Sequence, residues 1–224
     1  MLTIVTWLWG SKYPIDYVRR LVAGLQLHLV QPYRIVLISD QLQTGGADEV
    51  WPIPDPDLLE YPGCIARLRM FDPAWQMSHG ILPGRRLVCI DLDVVVTGHL
   101  DPLFDRPESF LILQGANAFN PCPYNGSVFM LRGGEHADVW SDFTFDALGA
   151  IPQQAFPDDQ GWLAHKAPGA AGWHVGSESG IWAFRKPQWP RDDALPKDAR
   201  LVVFPGWRDP SKFQHLDWVE GHWR

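Results

Sequence analysis

The sequence predicts an α/β fold: a mixed, mainly parallel sheet flanked by helices, with two carboxylates at the end of a buried strand. Three observations lead there. The run Leu87-Val88-Cys89-Ile90 leads straight into Asp91-Leu92-Asp93, and a second apolar run, Val94-Val95-Val96, follows. A strand-like run over 2–7, a helix-periodic stretch after Pro14 and a buried strand over 34–40 form a strand–helix–strand unit, which predicts parallel strands joined by a right-handed crossover. The composition, 46% hydrophobic and 20% charged, fits a globular chain with a substantial core, and 224 residues admit one large domain or two small ones.

The elements follow in order. Residues 2–7 are rich in Ile, Val and Thr, the composition of a strand. The loop over 8–13 carries Gly10, Lys12 and the aromatics Trp9 and Tyr13. Pro14 opens a helix, where its missing N–H costs nothing, and Ile15, Val18, Leu21, Val22, Leu25 and Leu29 recur on one face. Pro32 ends that segment, and the strand over 34–40 finishes in Asp40. Residues 50–53 suggest a short third strand, and 52–56 a loop. A helix is expected over 63–75, carrying Arg67 and Arg69, and Gly84 turns the chain into the central strand over 87–97. Residues 100–104 read as a short turn or helix, 110–113 as a strand, and 123–131 as a loop entering a strand. An amphipathic helix is expected over 135–148, and another starts after Pro157 with Asp158-Asp159-Gln160-Gly161-Trp162. A strand over 201–204 runs into the loop over 205–212, which carries Arg208 and Lys212.

Composition narrows the function. A net charge of -7 with no Lys/Arg run argues against nucleic acid as the partner. No apolar run is long enough for a transmembrane helix, and residues 1–6 lack signal-peptide features. Association with a membrane surface stays open. Cys64, Cys89 and Cys122 are too few and scattered for a disulfide framework or a zinc site, so a reducing cytoplasm is the expected compartment. Of the 12 tryptophans, eight lie after residue 139, and flat indole faces suit sugar rings and nucleobases, which tilts the ligand toward carbohydrate.

The chemistry centres on Asp91 and Asp93. On an extended backbone, residues i and i+2 point the same way, so the two carboxylates are expected to face one centre. In an apolar setting they need a positive partner. Their oxygens are hard ligands suited to Mn²⁺ or Mg²⁺, which keep positions for water and a phosphate oxygen. Ligands of parallel sheets bind beyond the carboxyl ends of the strands, where Trp7, Tyr13 and Asp40 lie. Tyr13 could stack on a base, and Asp40 could accept from base or ribose. Asn125 and Ser127 offer neutral hydrogen bonds around Gly126, while Asp159 and Gln160 offer partners for sugar hydroxyls. Arg67, Arg208 and Lys212 are candidate phosphate contacts.

Taken in order, these segments resemble the nucleotide-sugar-dependent glycosyltransferases of the GT-A fold, nearest to small bacterial transferases related to the family of glycogenin and the lipopolysaccharide galactosyltransferases (family 8-like). The resemblance rests on Cys-Ile-Asp-Leu-Asp-Val-Val-Val-Thr-Gly, Tyr-Asn-Gly-Ser-Val-Phe-Met-Leu, Asp-Asp-Gln-Gly-Trp and Phe-Pro-Gly-Trp. It implies one domain over 1–224, with a nucleotide-binding half over 1–100 and a sugar and acceptor half over 101–224. It further implies that Asp91 and Asp93 bind Mn²⁺ (or Mg²⁺) and, through it, a donor diphosphate, UDP-linked by preference. Thr6, Trp7, Tyr13, Asp40, Asp91 and Arg67 would lie at the nucleotide, with Arg67 reaching sugar or phosphate. Asn125 and Ser127 would meet the sugar hydroxyls, Asp159 and Gln160 would stand at the reactive face, and Arg208 and Lys212 would contact phosphate. The acceptor would be a carbohydrate, lipid-linked or protein hydroxyl, in glycan or lipopolysaccharide synthesis. The chain departs from the pattern where a metal-binding His is usual: Val203, Phe204 and Pro205 stand there, leaving His215, His222 or water as third ligand. An arginine also replaces the lysine common near Arg67.

Three other readings share these residues. A haloacid-dehalogenase-type phosphatase also uses Asp-x-Asp at a strand end, but on its first strand, whereas here ninety residues precede the motif. A nucleotidyltransferase needs a glycine-rich basic loop near the N-terminus, and none is found. A sugar-binding module without turnover would tolerate the missing His.

Overall fold

A computed structural model describes residues 1–116, 122–151 and 158–224. Strand β1 (Leu2–Leu8) is buried along its whole length. Helix α1 (Asp16–His28) follows, two residues after Pro14, and lays Val18, Leu21, Val22 and Leu25 on the sheet. Strands β2 (Tyr33–Ser39) and β3 (Glu49–Pro52) come next. β2 stops at Ser39, so Asp40 stands just beyond it and is exposed.

The helix expected over 63–75 is instead a 3-10 segment, Ile65–Phe71, followed by helix α2 (Pro73–Ser78). Cys64 enters with a left-handed φ of 57°, and Pro73 removes the N–H that a continuous helix needs, so Asp72 turns extended and caps Ala74 N–H at 2.9 Å. The central strand also divides. Strand β4 (Arg86–Ile90) ends before Asp91, and strand β5 (Val94–Val96) belongs to another sheet. The Asp-Leu-Asp triplet is therefore the turn between two sheets, and not a stretch of extended backbone.

Helix α3 (Asp101–Phe104), strand β6 (Phe110–Gln114) and strand β7 (Tyr124–Arg132) follow. The stretch 123–131, expected as a loop entering a strand, is strand from Tyr124 onward, with a register shift between Ile112 and Leu113. The single helix expected over 135–148 is two short ones, α4 (Asp138–Ser141) and α5 (Phe145–Gly149), because Thr144 is extended and its hydroxyl caps Ala147 N–H at 3.0 Å. Helix α6 (Asp159–Lys166) is capped by Asp158, and Pro157 lies outside the described residues. Strands β8 (Ala171–His174) and β9 (Ile181–Ala183), not anticipated from the sequence, precede β10 (Leu201–Val203). A 3-10 turn, Pro210–Phe213, and helix α7 (Asp217–His222) complete the chain.

Seven strands form one sheet in the order β3-β2-β1-β4-β7-β6-β8, and β5-β10-β9 form a second. β7 alone runs antiparallel to its neighbours in the large sheet; β3, β2, β1 and β4 are parallel. Alternate residues divide between two cores. Ile4, Leu8, Val88 and Ile90 face α1 and the small sheet. Val5, Trp7, Leu87 and Cys89 face the 65–78 segment and α6. α1 lies close on β5: a Cβ on Gly24 would come within 2.9 Å of Val96 Cβ. The carboxyl ends of β1, β2 and β4 thus open on the same edge, where the inter-sheet turn places Asp91 and Asp93.

Candidate active site at the inter-sheet turn

A cleft of about 310 Å³ opens at that edge, lined by the aromatics Trp7, Trp9, Tyr13 and Tyr61 and by Lys12, Cys64, Arg67, Asp91 and Asp93. Asp91, Leu92 and Asp93 all line this cleft although the backbone turns there, and Leu92 is otherwise packed into the core. Tyr13 O–H donates to Asp93 Oδ2 at 2.8 Å. Burial and the neighbouring Asp91 charge push the Asp93 carboxyl up to about 6. Burial, with Asp93 beside it, raises the Tyr13 hydroxyl as well, so it stays a proton donor.

Arg67 holds the other side. It is 5% exposed, and its Nη1 donates to Asp91 Oδ1 at 2.5 Å and to Gly126 O at 3.0 Å. Its Nε and Nη2 both donate to Asp159 Oδ2, at 2.9 and 2.6 Å. A guanidinium can bridge two carboxylates in this way because its donors form a planar fork. Gly126 permits the approach: a Cβ there would lie 2.5 Å from Arg67 Nη2. Burial pushes the Asp159 carboxyl up to about 7, against the opposing pull of Arg67. Asp159 is 1% exposed and does not line the cleft; its place is behind Arg67.

The remaining candidates fall into two groups. Gln160 and Asn125 are turned to local bonds: Gly126 N–H donates to Gln160 Oε1 at 3.0 Å, Gln160 Nε2 donates to Asp158 Oδ2 at 3.0 Å, and Ser127 N–H donates to Asn125 Oδ1 at 3.1 Å. Ser127 carbonyl receives Asp91 N–H at 2.9 Å and so fixes the start of the acidic turn. Thr6 is fully buried and does not line the cleft. Asp40 accepts from Gly10 N–H at 3.0 Å and steadies the loop after β1. Arg208 and Lys212 sit on the C-terminal loop, bonded to the carbonyls of Pro205 and Trp207 at 3.2 and 2.9 Å.

That loop reaches the site through two residues not singled out in the sequence. Tyr17 O–H donates to Asp209 Oδ1 at 2.7 Å, and the Tyr17 ring packs 4.7 Å from that of Tyr13. The pair is 192 residues apart in the chain, with no local signal. The two tyrosines flanking the helix start, Tyr13 and Tyr17, were the available hint.

The donor set suits a divalent cation. Asp91 and Asp93 line the cleft with Arg67 and Lys12, while Asp159 pairs with Arg67 from behind. The hard oxygens of Asp91 and Asp93 are the groups that would hold a divalent cation there. Among the described residues no group of three or more His, Cys, Asp and Glu gathers around them. Of the third ligands expected, His215 is exposed with its ring against Phe213. His222 packs against His28 at the far end of α1, about 18 Å along the helix axis from Asp16.

No protein-family model matches the chain, and no curated protein matches its sequence. Solved structures do match. An active-site glutamine-to-glutamate variant of LgtC superposes with a TM-score of 0.64 at 12% identity, over 98% of this chain and 95% of that one. The galactosyltransferase LgtC bound to donor and acceptor sugar analogues gives 0.59 at 11% identity, over 99% and 96%. The glycosyltransferase GlyE of Streptococcus pneumoniae TIGR4 gives 0.64 at 14% identity, over 98% of this chain and 62% of that one. The fold is that of a glycosyltransferase. This GT-A-like architecture, with a mostly parallel sheet opening at the carboxyl ends of its strands, is what the sequence motifs led us to expect. No helix among the described residues is long and apolar enough to cross a membrane.

Proposed function

We propose that the protein transfers a sugar from a nucleoside-diphosphate sugar, UDP-linked by preference, to an acceptor hydroxyl of a carbohydrate, lipid-linked glycan or protein, in cytoplasmic glycan or lipopolysaccharide synthesis. The observation that carries this reading is the convergence of Asp91, Asp93 and Arg67 on one cleft at the carboxyl edge of a glycosyltransferase fold. Asp91 and Asp93 would hold Mn²⁺ or Mg²⁺, which supplies Lewis-acid stabilisation to a departing diphosphate when bound.

The chain's own groups do the rest. Trp7, Trp9 and Tyr13 give an aromatic wall for the base, and the cleft narrows the orientations a donor can take. Arg67 fixes Asp91 while keeping its own charge next to the sugar and phosphate end. Arg208 and Lys212 are the cations on the neighbouring loop. Asp159 is sealed behind Arg67, which makes it a poor base for an acceptor proton and supports transfer without a protein carboxylate in that role. Gln160 and Asn125 keep the Gly126 region in place, and with Ser127 are the proposed neighbours of the sugar.

The phosphatase reading is not favoured, because its Asp-x-Asp nucleophile must stand free and Asp91 is bonded to Arg67. The test is turnover: a panel of UDP- and GDP-sugars with Mn²⁺, followed by release of nucleoside diphosphate with and without glycan acceptors. Release from one nucleotide sugar, and none of phosphate from a model ester, supports the reading. Binding of a nucleotide sugar with no turnover under any acceptor would leave a sugar-binding module instead.

A further inference from the structure

The C-terminal loop reads Arg208-Asp209-Pro210-Ser211-Lys212, an acid set between two cations. Lys212 follows Asp209 by three residues, a spacing at which Arg69 pairs with Asp72 at 3.3 Å, and Arg208 stands directly beside Asp209. Asp209 pairs with neither neighbour. Its Oδ1 accepts from Tyr17 O–H at 2.7 Å and from Ser211 N–H at 2.8 Å. Among the described residues Arg208 and Lys212 hydrogen-bond to carbonyls and lie 5.4 and 5.8 Å from the Trp207 ring, and Arg208 Nε is buried with no hydrogen-bond partner.

Tyr17 is well placed to do this. It is 8% exposed, wedged between the Tyr13 ring at 4.7 Å and the Trp223 ring at 4.9 Å, so its hydroxyl has little freedom. Tyr13, its neighbour in the stack, holds Asp93. The loop and the acidic turn are thereby tied to two stacked rings, Tyr17 in the first turn of α1 and Tyr13 in the loop before it.

We propose that Tyr17 is a positioning residue: by holding Oδ1 of Asp209, it turns that carboxylate away from Arg208 and Lys212, which do not line the cleft themselves but sit on the loop beside it and stay available to an anion bound there. This rests on the reading of the cleft as a diphosphate-sugar site. Burial pushes the Tyr17 hydroxyl up to about 12, so it remains a neutral donor across the working pH range.

The test uses Tyr17→Phe, which keeps the ring stack and removes only the O–H, and the double variant Tyr17→Phe/Asp209→Asn. Two readouts are taken. The first needs no ligand: the rate at which acetic anhydride acetylates Lys212, followed by mass spectrometry. The second is the affinity for inorganic pyrophosphate with Mn²⁺, by calorimetry. In Tyr17→Phe the freed carboxylate pairs with the cations, so acetylation slows about threefold and pyrophosphate affinity falls about fivefold, the scale of one exposed ion pair. In the double variant both return to within about twofold of wild type. A simple anchor predicts the reverse, since removing Asp209 as well cannot restore a lost tether. If the double variant matches Tyr17→Phe in acetylation, the inference is overturned. Should wild type bind no pyrophosphate, the donor-site reading fails, and the acetylation rates alone still decide the role of Tyr17.

Discussion

Arg67 and Asp159 form a buried ion pair across 92 residues of chain, with two guanidinium nitrogens on one carboxylate oxygen. The pair seats the 3-10 segment against α6 and aims the remaining Arg67 nitrogen at Asp91. Removing one partner of such a pair leaves the other buried without compensation. Arg67→Met should therefore lower stability by about 3–5 kcal/mol, read by urea denaturation, and should abolish donor binding in whatever folded fraction remains. Asp159→Asn keeps an oxygen able to accept both bonds, loses only the charge and should cost less. If Arg67→Met unfolds at the wild-type urea midpoint, the pair does not hold the site together.

Gly126 is the second point of closure. Its carbonyl accepts from Arg67, and its missing Cβ is the space the guanidinium occupies. Gly126→Ala should force Arg67 aside at a cost of about 1–3 kcal/mol and weaken donor binding, while far-ultraviolet circular dichroism stays unchanged. A variant as stable as wild type, with unaltered donor affinity, would show that Arg67 has room the structure does not give it.

Acid sensitivity has an identifiable source away from the cleft. Asp101, at the start of α3, accepts from the backbone N–H groups of Gln31 and Val30 at 2.7 and 3.0 Å and faces His99 at 3.2 Å. Burial alone would raise its carboxyl, but those donors and His99 outweigh it and hold the group below its ordinary 3.8. A carboxyl with a depressed folded value stabilises above its unfolded value and loses that contribution as pH falls through the folded one. Asp101→Asn should thus be less stable than wild type at pH 7, and the gap should close as pH drops below about 4. Thermal melts at pH 3 to 7 check it; a gap constant with pH would exclude the carboxylate's charge as its cause.

The first half of the fold was legible because its signals are local. Strands β1, β2 and β3 and helix α1 each carry their period and their stop signals within the segment. The helices over 63–75 and 135–148 failed for local reasons as well: Pro73 and Thr144 interrupt an apolar pattern that period alone makes continuous. Strands β8 and β9 were missed because Ala171–His174 and Ile181–Ala183 are short and paired to distant partners, β6 and β10. At the site, the Asp91–Asp93 pair announced itself as charge within an apolar run. Arg67's attachment to Asp159 and Tyr17's to Asp209 did not, since each depends on where the fold brings remote segments. The extended Asp-x-Asp expected from two flanking apolar runs proved to be a turn, because those runs enter different sheets.

The account stands on a cation bridging Asp91 and Asp93 to a donor's diphosphate. Calorimetric titration of UDP into wild type and Asp93→Asn, each with Mn²⁺ and again with a chelator, measures that bridge. Asparagine keeps the Tyr13 hydrogen bond and removes the charge, so the prediction is tight binding by wild type only with Mn²⁺, and at least a tenfold loss, about 1.4 kcal/mol, in the variant. Equal affinity with and without metal, or an Asp93→Asn variant that binds as wild type does, would contradict it.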